Sequence, residues 1–163
     1  MIRNKARLVA QGYSQMEGVG HDETVALVTH MESIRILLTL ACHLRFKLYQ
    51  TDVKTAFLNG LLKEDVYVAQ PKGFIDPHFL NQVLYLKKEL YGLKQAPRAW
   101  YDRFTQYLVS HGFTREKADQ TLFIKREDGE LIVAQVYVDD IIFGSTKDEL
   151  VKASQNSCRP SSR

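Results

Sequence analysis

The spacing of apolar residues divides the chain into elements of two periods. Between Glu32 and Phe46, the residues Ile34, Leu37, Leu38, Ala41 and Leu44 recur at i, i+3, i+4, i+7 and i+10, with Arg35 and His43 off the stripe. That is the pattern of an amphipathic helix. From Ala99, the residues Trp100, Phe104, Tyr107 and Leu108 mark a second helix that ends at His111-Gly112. Pro97 suits its first turn, where a missing N–H has no partner to lose. Apolar or alternating runs predict strands at Arg7 to Ala10, Leu48 to Val53, Val66 to Ala69, Val83 to Lys87 and Ile141 to Gly144. Thr121 to Arg126 and Leu131 to Val138, joined through Asp128-Gly129, carry a hairpin signature. A short helical turn is expected from Thr55 to Leu58, stopping near Asn59-Gly60, and Gly18 to Thr24 reads as loop. The order predicts an α+β domain with a mainly antiparallel sheet and helices packed on one face.

Composition narrows the class without naming a function. The chain has 163 residues, 45% hydrophobic and 25% charged, a mix that excludes disorder, collagen and coiled coil as descriptions of the whole. One domain, or one and a part, is expected. The densest apolar run, Ile36 to Cys42, is interrupted by Thr39 and is far too short to cross a bilayer. Met1-Ile2-Arg3-Asn4-Lys5 is basic, but no apolar segment follows it, so an intracellular protein without a secretory signal is expected. The balance of 22 basic against 19 acidic residues permits a polyanionic partner without requiring one. Cys42 and Cys158 make neither a disulfide framework nor a zinc spacing, and Cys42 in the helix reads as core. The five histidines form no ligand set and read as surface or structural residues.

Two constellations carry chemistry. Asp52 ends an apolar strand, and Tyr137-Val138-Asp139-Asp140 puts Asp139 and Asp140 at the tip of a hairpin. If those strands are neighbours, their carboxylates converge and suit two Mg²⁺ ions about 3.5–4 Å apart, the arrangement for nucleotidyl transfer. A solvated Asp-Asp turn is the alternative, and the residues by themselves leave both open. Within Leu84 to Arg103, five cations (Lys87, Lys88, Lys94, Arg98, Arg103) interleave with Tyr85, Tyr91, Trp100 and Tyr101, against Glu89 and Asp102. Such a mix suits a nucleic-acid surface. The competing possibility is that Trp100 and Tyr101 are core and the lysines merely solvated.

These residues resemble the reverse transcriptase domain of copia-type LTR retrotransposons. The matching stretches run in family order. They are Lys5 to Gly12, Asp22-Glu23-Thr24, Leu48 to Gly60 (Leu-Tyr-Gln-Thr-Asp-Val-Lys-Thr-Ala-Phe-Leu-Asn-Gly), Val66-Tyr67-Val68, Leu90 to Tyr101 (Leu-Tyr-Gly-Leu-Lys-Gln-Ala-Pro-Arg-Ala-Trp-Tyr) and Tyr137 to Ser145. The resemblance implies an RNA-directed DNA polymerase, a right-hand fold seen here as a fingers–palm fragment, with two Mg²⁺ ions as cofactors and Mn²⁺ as a substitute. Asp52 and Asp139 would be the catalytic metal ligands and Asp140 an accessory carboxylate. Phe57 would gate the sugar of the incoming nucleotide. Tyr91 and Gly92 would lie by its base, and Lys5 and Arg7 by its triphosphate. Lys94, Gln95 and Arg98 would contact nucleic acid. Implied partners are a template-primer of RNA or DNA, deoxynucleoside triphosphates and, in a full polyprotein, integrase and ribonuclease H, in a cytoplasmic particle or the nucleus and without a membrane.

The sequence also departs from the family pattern. Val25 to His30 replaces a stretch that usually carries an aromatic, a proline and an arginine. Residues 1–153 are expected to be a partial fingers–palm domain, truncated at both ends, and 154–163 a disordered, non-family tail produced by a frameshift. A fragment of that kind would be weak or inactive alone. A non-catalytic nucleic-acid-binding fragment derived from a retroelement is the alternative.

Overall fold

The computed structural model describes residues 6–15 and 27–147. In chain order the main elements are α1 (Met31–Leu44), β1 (Lys47–Asp52), β2 (Leu61–Ala69), β3 (Val83–Lys88), α2 (Ala96–Ser110), β4 (Thr114–Arg115), β5 (Leu122–Glu127), β6 (Glu130–Tyr137) and β7 (Asp140–Ser145). Short 3-10 turns cover Gly12–Ser14 and Phe57–Asn59. The fold is α+β, as the pattern predicts. The chain divides into two compact units, Met1–Val25 with Phe57–Arg103, and Ala26–Ala56 with Phe104–Arg163. Helix α2 begins in the first and ends in the second.

The second unit is built on a five-stranded antiparallel sheet of order β1-β7-β6-β5-β4. Residues paired across antiparallel strands share a face. One face therefore carries Phe123, Ile132, Ala134, Val136, Ile141 and Phe143, none more than 2% exposed. The other face carries Gln50, Asp52, Gln135 and Asp140. On that second face Gly144 is needed for space, because a Cβ there would stand 2.5 Å from the Phe46 ring and 2.6 Å from Leu48. The β5–β6 turn has positive φ at both Asp128 and Gly129, the mirror-type turn that the Asp-Gly signature anticipates.

Helix α1 corrects the predicted stripe. Leu37 and Ala41 are buried, but Leu38 and Leu44 are exposed, as is Cys42. The helix presses on its neighbours through a narrower arc than its apolar residues span. Cys42 falls outside that arc and is not core.

In the first unit, β2 and β3 form an antiparallel pair, and β2 begins at Leu61, earlier than the apolar run suggests. Val66, Leu93 and Ala96 make the centre of a small core, flanked by Ala10, Phe57, Leu62 and Leu86. The amino-terminal segment is tied in by a parallel bridge from Val9 to Tyr91, and the Ala10 N–H donates to the Tyr91 carbonyl at 2.7 Å. Gly92 makes this crossing feasible. Its φ is +92°, and a Cβ there would collide with the Ala10 carbonyl oxygen.

Candidate active site

The sheet brings the aspartates together through register. Asp52 at the end of β1 lies directly across from Asp140 at the start of β7. The Val53 N–H donates to the Asp139 carbonyl at 2.8 Å. That bond makes Asp52 and Asp140 a non-hydrogen-bonded pair, the closer kind, with Cα atoms about 4.5 Å apart. Asp140 thus begins a strand and is not at the hairpin tip as expected; the two-residue turn consists of Val138 and Asp139. Strand pairing between Tyr137 and Asp140 takes Asp140 into the ladder. Val138 has φ +56°, a left-handed conformation unfavourable for a β-branched residue.

Two like charges opposed across a ladder repel. Asp52 is exposed, and Asp139 and Asp140 are half-buried, so solvent reaches all three and screens part of that repulsion. Gln50 relieves part of it, since its Nε2 donates to Asp140 Oδ1 at 3.1 Å. Among the described residues no group of three or more His, Cys, Asp or Glu side chains is placed to hold a metal ion on its own. The hard oxygen donors of Asp52 and of Asp139, whose carbonyl accepts from the neighbouring Val53 N–H, nonetheless suit Mg²⁺, which binds through one or two carboxylates and completes its shell with water and substrate phosphates.

Behind this hairpin lies a buried polar network. Gln135 Nε2 donates to Thr121 Oγ1 at 2.7 Å and to Asp119 Oδ2 and Thr29 Oγ1, each at 3.2 Å. The Thr29 hydroxyl donates to the Val136 carbonyl at 2.6 Å. Burial works to raise the Asp119 pKa. Hydrogen bonds from Ser33, the Thr121 hydroxyl, the Thr121 N–H and Gln135 outweigh it and hold the group below its ordinary value. Thr29 lies in the stretch that departs from the family pattern, yet it is part of this network.

In the first unit, three of the expected nucleotide-binding residues meet. The Arg7 guanidinium carbon stands 4.8 Å over the Tyr91 ring, and the Phe57 and Tyr91 ring centroids are 5.0 Å apart. Gly92 follows Tyr91, and its role visible here is the close backbone crossing. Lys5 lies outside the described residues. Lys94 is exposed, with its Nζ donating to the Gln15 carbonyl at 2.8 Å. Arg98 pairs with Asp102 at 3.3 Å. Gln95 is only 4% exposed, with both side-chain polar atoms unpartnered, so it faces inward at the start of α2. Trp100 and Tyr101 are buried too, which decides the alternative left open above in favour of core for these two rings. A cavity of about 790 Å³ runs between the amino-terminal segment and β2–β3, lined by Leu8, Val9, Val66, Val68 and Leu86 among others; none of the three aspartates lines it.

Sequence reasoning missed three residues. Gln50 lies two positions before Asp52, so the strand period alone puts both on one face. Gln135 is the one amide in the apolar run Leu131 to Val138. Glu89, named above only as an acid set against the cations, is 1% exposed with both carboxylate oxygens unpartnered. Burial, and secondarily the neighbouring Glu64 charge, raises its pKa to about 7.

With fold and geometry established, comparison with known sequences identifies the class. The chain belongs to the reverse transcriptase (RNA-dependent DNA polymerase) family, whose profile matches residues 1–158. Its relatives include the retrovirus-related Pol polyprotein from transposon RE1 of Arabidopsis thaliana, 47% identical over 140 residues, which are 86% of this chain and 10% of that protein. The Pol polyprotein from transposon RE2 of the same plant is 43% identical over 92% of this chain and 10% of its own length. That from transposon TNT 1-94 of Nicotiana tabacum is 42% identical over 93% of this chain and 12% of its own. These are copia-type elements, in accord with the motifs, and the chain spans about a tenth of their length. No solved structure matches. Among the described residues no helix is long and apolar enough to cross a membrane.

Proposed function

We propose that the chain carries the nucleotide-addition centre of an RNA-directed DNA polymerase of a copia-type element, with the second unit as palm, its helices on one face of the sheet, and the first as part of the fingers. The observation that carries this reading is the opposition of Asp52 and Asp140 across β1 and β7, with Asp139 in the adjoining turn. Carboxylates paired across adjacent strands at a sheet end repel one another, and a cation beside them removes that repulsion.

Asp52 and Asp139 hold two Mg²⁺ ions, for which Mn²⁺ substitutes, and Asp140 supports them. Bound there, the ions supply activation of the primer hydroxyl and charge neutralisation on the triphosphate. The chain's own residues bind and orient. The Arg7–Tyr91–Phe57 cluster offers a cation and two aromatic faces to the incoming nucleotide. Phe57 excludes a ribose 2′-hydroxyl by contact, favouring deoxynucleotides. Lys5 adds charge at the triphosphate. Lys94 and Arg98 meet template-primer phosphates, and Gln95 supports them from within. Positioning dominates this chemistry, so the isolated chain extends primers poorly. Integrase and ribonuclease H segments of the polyprotein are its partners.

Single-nucleotide incorporation on a primed RNA template tests the reading. A longer polyprotein segment that includes this chain is expected to add a deoxynucleotide with Mg²⁺ or Mn²⁺, and Asp139→Asn is expected to lower the rate at least ~10³-fold. Incorporation that survives Asp139→Asn would sink the metal assignment.

A further inference from the structure

Among the described residues, Gln50 is the side chain that hydrogen-bonds one of the three aspartates. It pairs across the ladder with Ile142, which puts it diagonal to Asp140 on the same sheet face. Its Nε2 lies 3.1 Å from Asp140 Oδ1. An ionised carboxylate only accepts hydrogen bonds, so the amide must present its NH₂ group there and not its oxygen. Among the described residues, Asp52 and Asp139 receive no such side-chain donor, so the three acids are not equivalent.

We propose that Gln50 is a positioning residue that ties Asp140 to β1 and so keeps it in an accessory place, leaving Asp52 and Asp139 as the principal metal ligands. This rests on the polymerase reading above and names the cause of a division of labour within that site. The chemistry suits the task. A lysine or arginine in this position would hold Asp140 more tightly, but its charge would compete with the metal. A neutral amide fixes one oxygen, lessens the repulsion between Asp140 and Asp52, and adds no cation. Without the tether, Asp140 is free to turn toward the ion and become a ligand in its own right.

Mn²⁺ titrated into the full 163-residue chain, read by paramagnetic broadening of amide signals, tests this without any polymerase activity. In the native chain, Asp140→Asn should weaken Mn²⁺ binding less than ~2-fold, whereas in the Gln50→Leu background the same change should weaken it more than ~5-fold, a coupling within the range of contacting pairs. Gln50→Met, which keeps the length without the donor, should behave as Gln50→Leu does and guards against a folding defect in either variant. An equal effect of Asp140→Asn in all three backgrounds would overturn the proposal while leaving the metal site intact. If Asp52→Asn and Asp139→Asn also leave the broadening unchanged, the metal reading itself fails, and this inference with it.

Discussion

Val138 illustrates how much of the site is set by single residues. It holds φ +56° at the turn before Asp139, and a conformation of that kind costs a β-branched residue about 1–3 kcal/mol. The ladder on both sides imposes it, through the Tyr137–Asp140 pairing and the Val53–Asp139 hydrogen bond. Val138→Gly should therefore stabilise the chain by about 1 kcal/mol in urea unfolding, the relief of strain exceeding the entropy that glycine adds to the unfolded state. A loss of stability would show that the turn is not strained. At this scale the sequence was informative about identity and weak on orientation. Asp52, Asp139 and Asp140 stand out as residues, but their cross-strand pairing depends on a register between segments almost ninety positions apart, and no local pattern encodes that. Gln50 was within reach of the period-two rule. Glu89 was not, because nothing in Lys87-Lys88-Glu89 distinguishes a buried acid from a solvated one.

Elements with strong local chemistry matched expectation. The β5–β6 hairpin follows from Asp128-Gly129, and α2 from its stripe and Pro97. The two-residue β4 and residues 61–65 of β2 carry too little apolar periodicity to be seen. The buried face of α1 depends on what packs against it, so the stripe overestimated it. The connection from β3 to α2 makes a distinct prediction. Glu89 is buried beside Gly60, where a Cβ would stand 2.9 Å from Glu89 Cγ and 3.2 Å from Ala99 Cβ. Its folded pKa, about 7, lies above the unfolded value of 4.5. Folding then favours the protonated form. Stability is full below about pH 4.5 and declines as pH rises through 7, by on the order of 2–3 kcal/mol. Urea unfolding of the native chain between pH 5 and pH 8 should show this decline, and Glu89→Gln should remove most of it. The same slope in both proteins would mean that Glu89 is solvated or paired.

At the scale of the whole molecule, the expectation of one domain or one and a part meets two units that are each discontinuous in sequence. Local patterns do not report such interleaving, because each unit is closed by contacts between distant segments. The motif order, in contrast, was legible from end to end, and it led to the family that the comparisons establish. The candidate chemistry follows the same division. The three aspartates all belong to the second unit, while Arg7, Phe57 and Tyr91 belong to the first. The account's central claim is that Asp52 at the end of β1 and Asp139 in the turn before β7 bind a divalent cation. Fe²⁺ in place of Mg²⁺, with ascorbate and peroxide, cuts the backbone next to wherever it binds. Fragment masses from the 163-residue chain should place the cuts around Asp52 and around Val138 to Asp140, and Asp52→Asn should suppress both sets. Cuts confined to other segments, or cuts at these positions that Asp52→Asn leaves unchanged, would contradict the account.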